Sequence, residues 1–244
     1  MRSGWPCPRV MAHRCGGALA PENTLPGLAI AAQFGSQGVE FDVMLSADGT
    51  PWLIHDETLE RTTNGAGRVC DSCDALLAGL DAGIRHHPAF AATRLPTLHE
   101  ALVQCRALGL AANIEIKPAM GHEVATATQV TRMVRAFHEG MAVQPLLSSF
   151  SEEALCAARR EAPLQPLALL VEDLPADWQA RCTRLGVIAL HVDSAGLDIG
   201  QARAIKAAGY LLAVYTENSP SRARELFGWG VDSIITDRPD RVRG

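Results

Sequence analysis

Short apolar runs alternate with longer segments of mixed polarity along almost the whole chain. Nine runs read as strands: residues 9–13, 38–43, 51–55, 112–117, 145–150, 166–171, 187–192, 211–216 and 233–236. Each has strand length and carries turn residues nearby. Helix signals lie between most of them. Asn23 or Thr24 can cap a helix running to about Phe34, with Gly35 as its stop. Thr97 and Glu100 form a capping box ahead of an apolar-periodic segment that ends at Gly109. Residues 122–138 form a long candidate with Gly140 just after it, and Ser151, Ser219 and Gly209 mark further helix ends. This alternation predicts an α/β fold with a parallel sheet.

Nine strands are one too many for a (β/α)8 barrel, and loop length locates the surplus. Parallel neighbours need a crossover of about a dozen residues or more, whereas antiparallel neighbours can share a tight turn. Only eight residues separate Val43 from Trp52, and Asp48-Gly49 among them is a hairpin signal. The run 51–55 should therefore fold back on 38–43, leaving eight parallel staves. With Asp48 and Gly49 as the two turn residues, Asp42 stands opposite His55, and Glu40 shares their face. The stretch 57–95 is too long for a plain connection and is poor in apolar residues. It reads as an insertion over the barrel mouth within one domain spanning 1–244.

Composition narrows the class. The chain has 244 residues, 48% of them hydrophobic, and a mean hydropathy of +0.06. That suffices for one large core, and no apolar run is long enough to span a membrane. Residues 1–8 lack the apolar centre of a secretory signal, so a soluble, cytoplasmic protein is expected. A net charge of −5 with no run of like charges argues against nucleic-acid or membrane-surface partners. Seven cysteines without framework spacing read as free thiols in a reducing compartment. Cys70 and Cys73 have metal or redox spacing, but no second pair accompanies them.

Chemistry gathers where strands stop, which is where parallel α/β folds place their sites. Glu40 and Asp42 alternate on one strand, and Glu115 and Lys117 on another. The three carboxylates could hold a hard divalent cation. They could equally be solvated strand ends or salt-bridge partners, although unpaired acids inside apolar strands are costly. His13 and His55 could move protons, and Arg14 and Lys117 could grip a phosphate. A strand-end histidine is also a common structural hydrogen-bonder. Of the other six histidines only His191 lies near a strand end.

The ordered set of motifs resembles the glycerophosphodiester phosphodiesterase family. It runs through His13-Arg14, Pro21-Glu22-Asn23-Thr24, Glu40-Phe41-Asp42, Asp48-Gly49, His55-Asp56, Arg61-Thr62-Thr63 and Glu115-Ile116-Lys117. Ser148-Ser149-Phe150, the stretch 214–218 and Ile235-Thr236-Asp237 complete it, so the resemblance covers about 8–240. The compact chain looks most like the bacterial cytosolic members. The resemblance implies a TIM barrel of the phospholipase C-like type and a hydrolase using one divalent cation, first Mg²⁺, with Ca²⁺ or Mn²⁺ as alternatives. It implies Glu40, Asp42 and Glu115 as metal ligands, and His13 and His55 as catalytic residues, with His13 as base and His55 as acid. Arg14 and Lys117 would contact phosphate. Tyr215 would line the substrate pocket, unless it serves only barrel packing. Glu22 and Asn23 would shape the first loop, and Asp237 would brace the mouth near His13.

The implied substrate is a small glycerophosphodiester, such as glycerophosphocholine or glycerophosphoethanolamine, cleaved to sn-glycerol 3-phosphate and an alcohol. Attack would come from the substrate's own hydroxyl through a cyclic phosphate, or directly from water. The rival readings are a lysophospholipase D-type activity and a non-catalytic metabolite-binding barrel. One position departs from the family pattern: Cys15 stands where glycine is usual. The residue is expected to keep an ordinary backbone, with Gly16 taking the strained position, or else to narrow the phosphate site. Either way it would bring a reactive thiol near the metal.

Overall fold

A computed structural model of the chain describes residues 6–138 and 143–244. All nine expected strands are present, each end within two residues of its sequence-based position. They are β1 (Val10–Ala12), β2 (Gly38–Leu45), β3 (Pro51–Leu53), β4 (Ala111–Ile116) and β5 (Leu146–Ser149). β6 (Leu167–Val171), β7 (Ala189–Asp193), β8 (Leu211–Tyr215) and β9 (Ser233–Thr236) follow. β1 pairs in parallel with both β2 and β9, which closes the sheet. Eight parallel staves form a TIM barrel, and among the described residues β3 alone runs antiparallel, paired with the carboxyl-terminal end of β2.

Helices separate the staves. They are α1 (Leu25–Gln33), α2 (Asp74–Leu77), α3 (Leu98–Leu108), α4 (Glu123–Phe137) and α5 (Glu152–Glu161), then α6 (Trp178–Leu185), α7 (Ile199–Ala207) and α8 (Pro220–Trp229). The cap of α1 is Thr24, whose hydroxyl accepts from the Gly27 N–H. The capping box of α3 forms as its sequence implies, with Thr97 and Glu100 bonded reciprocally. Gly140, expected to end α4, lies outside the described residues. Among the described residues no helix is long and apolar enough to cross a membrane.

Alternation along each stave separates two environments. On β2, Val39, Phe41 and Val43 are fully buried in the layer between staves and helices, together with Leu28, Leu102 and Ile114. Each such side chain contributes about 1.5–3 kcal/mol through burial. The intervening Glu40 and Asp42 point into the barrel instead. Its lower interior is filled by Met11, Leu146, Ala168, Ala189 and Ile235.

The hairpin exists, but its register differs from the expected one. Val43 pairs with Leu53, Met44 with Trp52 and Leu45 with Pro51. Ser46 N–H donates to the Thr50 carbonyl at 3.0 Å, enclosing a three-residue loop in which Gly49 has φ +81°. Asp-Gly here serves a three-residue turn with glycine in the left-handed position, not a two-residue turn. The slip of one residue places Ile54, not His55, opposite Asp42, whose carbonyl accepts the Ile54 N–H at 3.2 Å. β3 then ends, so His55 leaves the ladder.

The stretch 57–95, read from its sequence as poor in apolar residues, carries enough of them to build a buried cluster. Leu59, Val69, Cys70, Leu77 and Leu95 pack with Met44, Trp52 and Ile54 into a second buried cluster. Asp74, at the start of α2, accepts hydrogen bonds from Ser46, Thr50 and the Trp52 indole, at 2.6, 2.5 and 2.9 Å. The insertion is thereby anchored to the hairpin that precedes it.

Candidate active site

A cleft of about 610 Å³ opens at the carboxyl ends of the staves. His13, Arg14, Glu40, Asp42, His55, Glu115, Lys117 and Tyr215 all line it. Register explains the convergence of the acids. Asp42 on β2 stands beside Glu115 on β4, and Glu40 stands beside Asn113. One carboxylate oxygen each from Glu40, Asp42 and Glu115 lies within 4.8 Å of the others.

These three acids fit a divalent cation. All are buried, and Glu40 Oε1 has no hydrogen-bond partner. Burial, together with the charge of Asp42, pushes the Glu40 carboxyl up to about 7. The same two causes hold Glu115 well above the usual carboxylate range. The nearby Arg14 and Lys117 do not offset that cost, and the all-oxygen donors suit a hard ion. Among the described residues it is the one group of acids, histidines and cysteines so arranged. Cys70 is buried and Cys73 exposed, and they belong to no such group.

The two histidines have matching support. His13 Nδ1 lies 2.7 Å from Asp237 Oδ1, and its Nε2 is 3.8 Å from Glu40 Oε2. His55 Nδ1 lies 2.7 Å from Asp56 Oδ1, and its Nε2 is 2.5 Å from Lys117 Nζ. Burial lowers the basicity of both rings. For His13 the Asp237 hydrogen bond and the Glu40 charge outweigh burial, and its pKa rises. For His55 burial prevails, aided by the charges of Arg14 and Lys117, and its pKa falls. His55 thus reaches the cleft by turning out of β3, not through the expected pairing with Asp42.

The two cations lie among the acids. Lys117 Nζ is 3.8 Å from Glu115 and 4.0 Å from Asp42. Arg14 Nε is 3.8 Å from Asp42, while its Nη1 donates to Glu22 at 3.1 Å. Tyr215 meets Phe150 edge to face, with centroids 5.9 Å apart. Its hydroxyl donates to the Val171 carbonyl at 3.0 Å, so the ring both packs and faces the cleft.

Cys15 behaves differently from the expectation. Its own backbone is left-handed, with φ +74°, following Arg14 at φ +47°. Gly16 keeps an ordinary φ of −115°. Gly16 answers to space instead: a Cβ there would stand 2.8 Å from Ala20 Cβ. The left-handed turn lets the Arg14 N–H reach Glu40 Oε2 at 3.0 Å and the Cys15 N–H reach the Glu40 carbonyl at 2.8 Å. The Cys15 side chain is fully buried in the outer core and does not line the cleft. Burial pushes its thiol far above the usual range, so it is neither reactive nor an obstruction.

Several supporting residues were not legible as such. Asn23 donates to Asp42 Oδ2 at 2.9 Å and accepts the Asp42 N–H at 3.1 Å, a two-point clamp on one acid. Arg61 reaches in from the insertion and bonds both Glu22 and Asp56. Asp56 directly follows His55, and that adjacency was the only signal for its role. Asn113 lies two positions before Glu115, a polar residue inside an apolar run. His191 is fully buried and held neutral, its pKa pushed down to about 3, and does not line the cleft.

The chain matches the model of the glycerophosphoryl diester phosphodiesterase family over residues 13–241. It is 32% identical to a glycerophosphodiester phosphodiesterase of Caldanaerobacter subterraneus subsp. tengcongensis, over 96% of this chain and 95% of that protein. A solved phosphodiesterase of Oleispira antarctica, in complex with the product sn-glycerol-3-phosphate, is 36% identical with a TM-score of 0.93. That match covers 97% of this chain and 95% of the other. A glycerophosphodiester phosphodiesterase structure from Agrobacterium tumefaciens is 30% identical with a TM-score of 0.80, covering 96% and 97%.

Proposed function

Because the chain belongs to the glycerophosphoryl diester phosphodiesterase family, a family of hydrolases, we propose that it cleaves small glycerophosphodiesters. Glycerophosphocholine and glycerophosphoethanolamine are the substrates envisaged, and sn-glycerol 3-phosphate and an alcohol the products. The observation that carries this reading is the single cleft in which three buried acids, two carboxylate-backed histidines and two cations meet. We read residues 1–244 as one catalytic domain. The seven cysteines without framework spacing support a cytoplasmic setting.

Glu40, Asp42 and Glu115 would hold one divalent cation, Mg²⁺ first, with Ca²⁺ and Mn²⁺ meeting the same donors. When bound, that ion supplies positive charge to phosphoryl oxygens and lowers the pKa of a nearby hydroxyl. The residues of the chain account for the remaining chemistry. Arg14 and Lys117 bind the phosphate and stabilise the charge that builds on it. The hydrogen bonds favour His55 as base: Nδ1 faces Asp56, and Nε2 already accepts from Lys117. His13 then serves as acid, its Nδ1 held by Asp237 and its ring lining the cleft. This reverses the division expected from the motifs alone. The proton taken by His55 comes from the glycerol hydroxyl that attacks phosphorus, and His13 protonates the departing alcohol. The cyclic phosphate is then opened by water with the roles exchanged.

Turnover of glycerophosphocholine, followed by release of sn-glycerol 3-phosphate, tests the reading. His13→Ala and His55→Ala should each lose about 10²–10⁴ in rate while unfolding as the wild type does. Faster choline release from lysophosphatidylcholine than from glycerophosphocholine, or unchanged turnover in either variant, would contradict it.

A further inference from the structure

Asn113 lies on β4 inside the cleft and is 1% exposed, yet neither its Nδ2 nor its Oδ1 has a hydrogen-bond partner. Its register partner across the sheet is Glu40, whose Oε1 is also unpartnered. A buried amide left unpaired costs about 1–3 kcal/mol, and natural proteins rarely keep one without a reason. A leucine of similar size would fill the place without that cost. The amide is therefore held ready for a ligand.

The neighbouring groups indicate the ligand's chemistry. The Asn113 carbonyl accepts a hydrogen bond and the amide Nδ2 donates one, while Glu40 is committed to the cation. An alcohol complements that set, because it donates and accepts through one oxygen. A phosphate oxygen does not, since it carries no proton and would leave the Asn113 carbonyl unpaired. The cations suited to phosphate, Arg14 and Lys117, belong to turns beyond the strand ends, whereas Asn113 sits within β4, two residues short of Glu115. We propose that Asn113 binds a hydroxyl of the substrate's glycerol moiety and makes the cleft selective for glycerol over alkyl phosphoesters. The proposal rests on the function inferred above.

Calorimetric titration with sn-glycerol 3-phosphate and with propyl phosphate, in the presence of Mg²⁺, separates the two. The wild type should prefer sn-glycerol 3-phosphate by about tenfold or more, the value of one good hydrogen-bonded hydroxyl. Asn113→Leu should weaken sn-glycerol 3-phosphate to the level of propyl phosphate and leave propyl phosphate unchanged. Asn113→Ala should do the same, and decides the matter if the leucine variant does not fold. A preference that survives in the variants overturns the proposal. So does equal weakening of both ligands, which would mark Asn113 as a support for the acids. A wild type that binds both ligands equally overturns it while leaving the phosphodiesterase reading intact. A wild type that binds neither overturns that reading, and this proposal with it.

Discussion

Asp237 Oδ1 stands 2.7 Å from His13 Nδ1, so the residue following the last stave orients the ring that follows the first. Asn218 secures the arrangement, donating to Asp237 Oδ2 at 3.1 Å and accepting the Asp237 N–H at 2.8 Å. The bond holds a proton on Nδ1 and turns Nε2 toward the cleft. Asp237→Asn should preserve the packing but favour the wrong tautomer. We expect kcat for glycerophosphocholine to fall by about 10²–10⁴, with KM nearly unchanged. A kcat within twofold of wild type would show that the ring needs no such partner.

Arg61 links two supports that are far apart in sequence. It bonds Asp56, which faces His55, and Glu22, which faces Arg14. Burial alone would raise the Glu22 carboxyl, but the Arg61 hydrogen bond and Arg14 charge outweigh it, so the net shift is downward. The Arg61 hydrogen bond holds Asp56 lower still. Both folded pKa values lie below the unfolded ones. The stabilisation is therefore complete above about pH 5, and is lost as pH falls through the depressed folded values. Arg61→Gln should cost on the order of 1 kcal/mol at pH 7, limited by the partly exposed setting. Urea unfolding should show this gap at pH 7 and a smaller one at pH 3. A gap that widens toward low pH would reverse the sign of the argument.

Cys15 offers a test of backbone strain. In a left-handed turn any Cβ costs about 1–2 kcal/mol, and glycine avoids that cost. Cys15→Ala keeps the strain and loses the buried sulfur, whereas Cys15→Gly relieves the strain and loses slightly more volume. Cys15→Gly should therefore be the more stable variant, by about 1 kcal/mol. Both should keep wild-type turnover, because the side chain faces the outer core. A more stable alanine variant would indicate that packing outweighs strain at this position.

The eight staves and the extra hairpin were legible because loop lengths and turn residues constrain topology strongly. The hairpin register was not, because Asp48-Gly49 suits two turn types that differ by one residue. That one residue removed the expected pairing of Asp42 with His55, and the observed convergence depends on the chain leaving β3 after Leu53. The acids were visible through their period of two on neighbouring strands. Their supports were not: Asn23 on Asp42 and Asp237 on His13 join residues 19 and 224 apart in sequence. The motif resemblance anticipated Asp237, but no local pattern reveals Asn23's clamp or Arg61's double reach. The left-handed Cys15 backbone has no signal in the sequence, because the glycine pair that follows it is the more usual carrier of that conformation.

The most direct test is metal removal and restoration. Protein stripped with EDTA should release sn-glycerol 3-phosphate from glycerophosphocholine at least about 10²-fold more slowly, several kcal/mol of charge stabilisation having been lost. Adding back Mg²⁺, Ca²⁺ or Mn²⁺ singly should restore the rate with at least one of them. Full activity in the metal-free protein, or no sn-glycerol 3-phosphate with any of the three ions, would contradict the account.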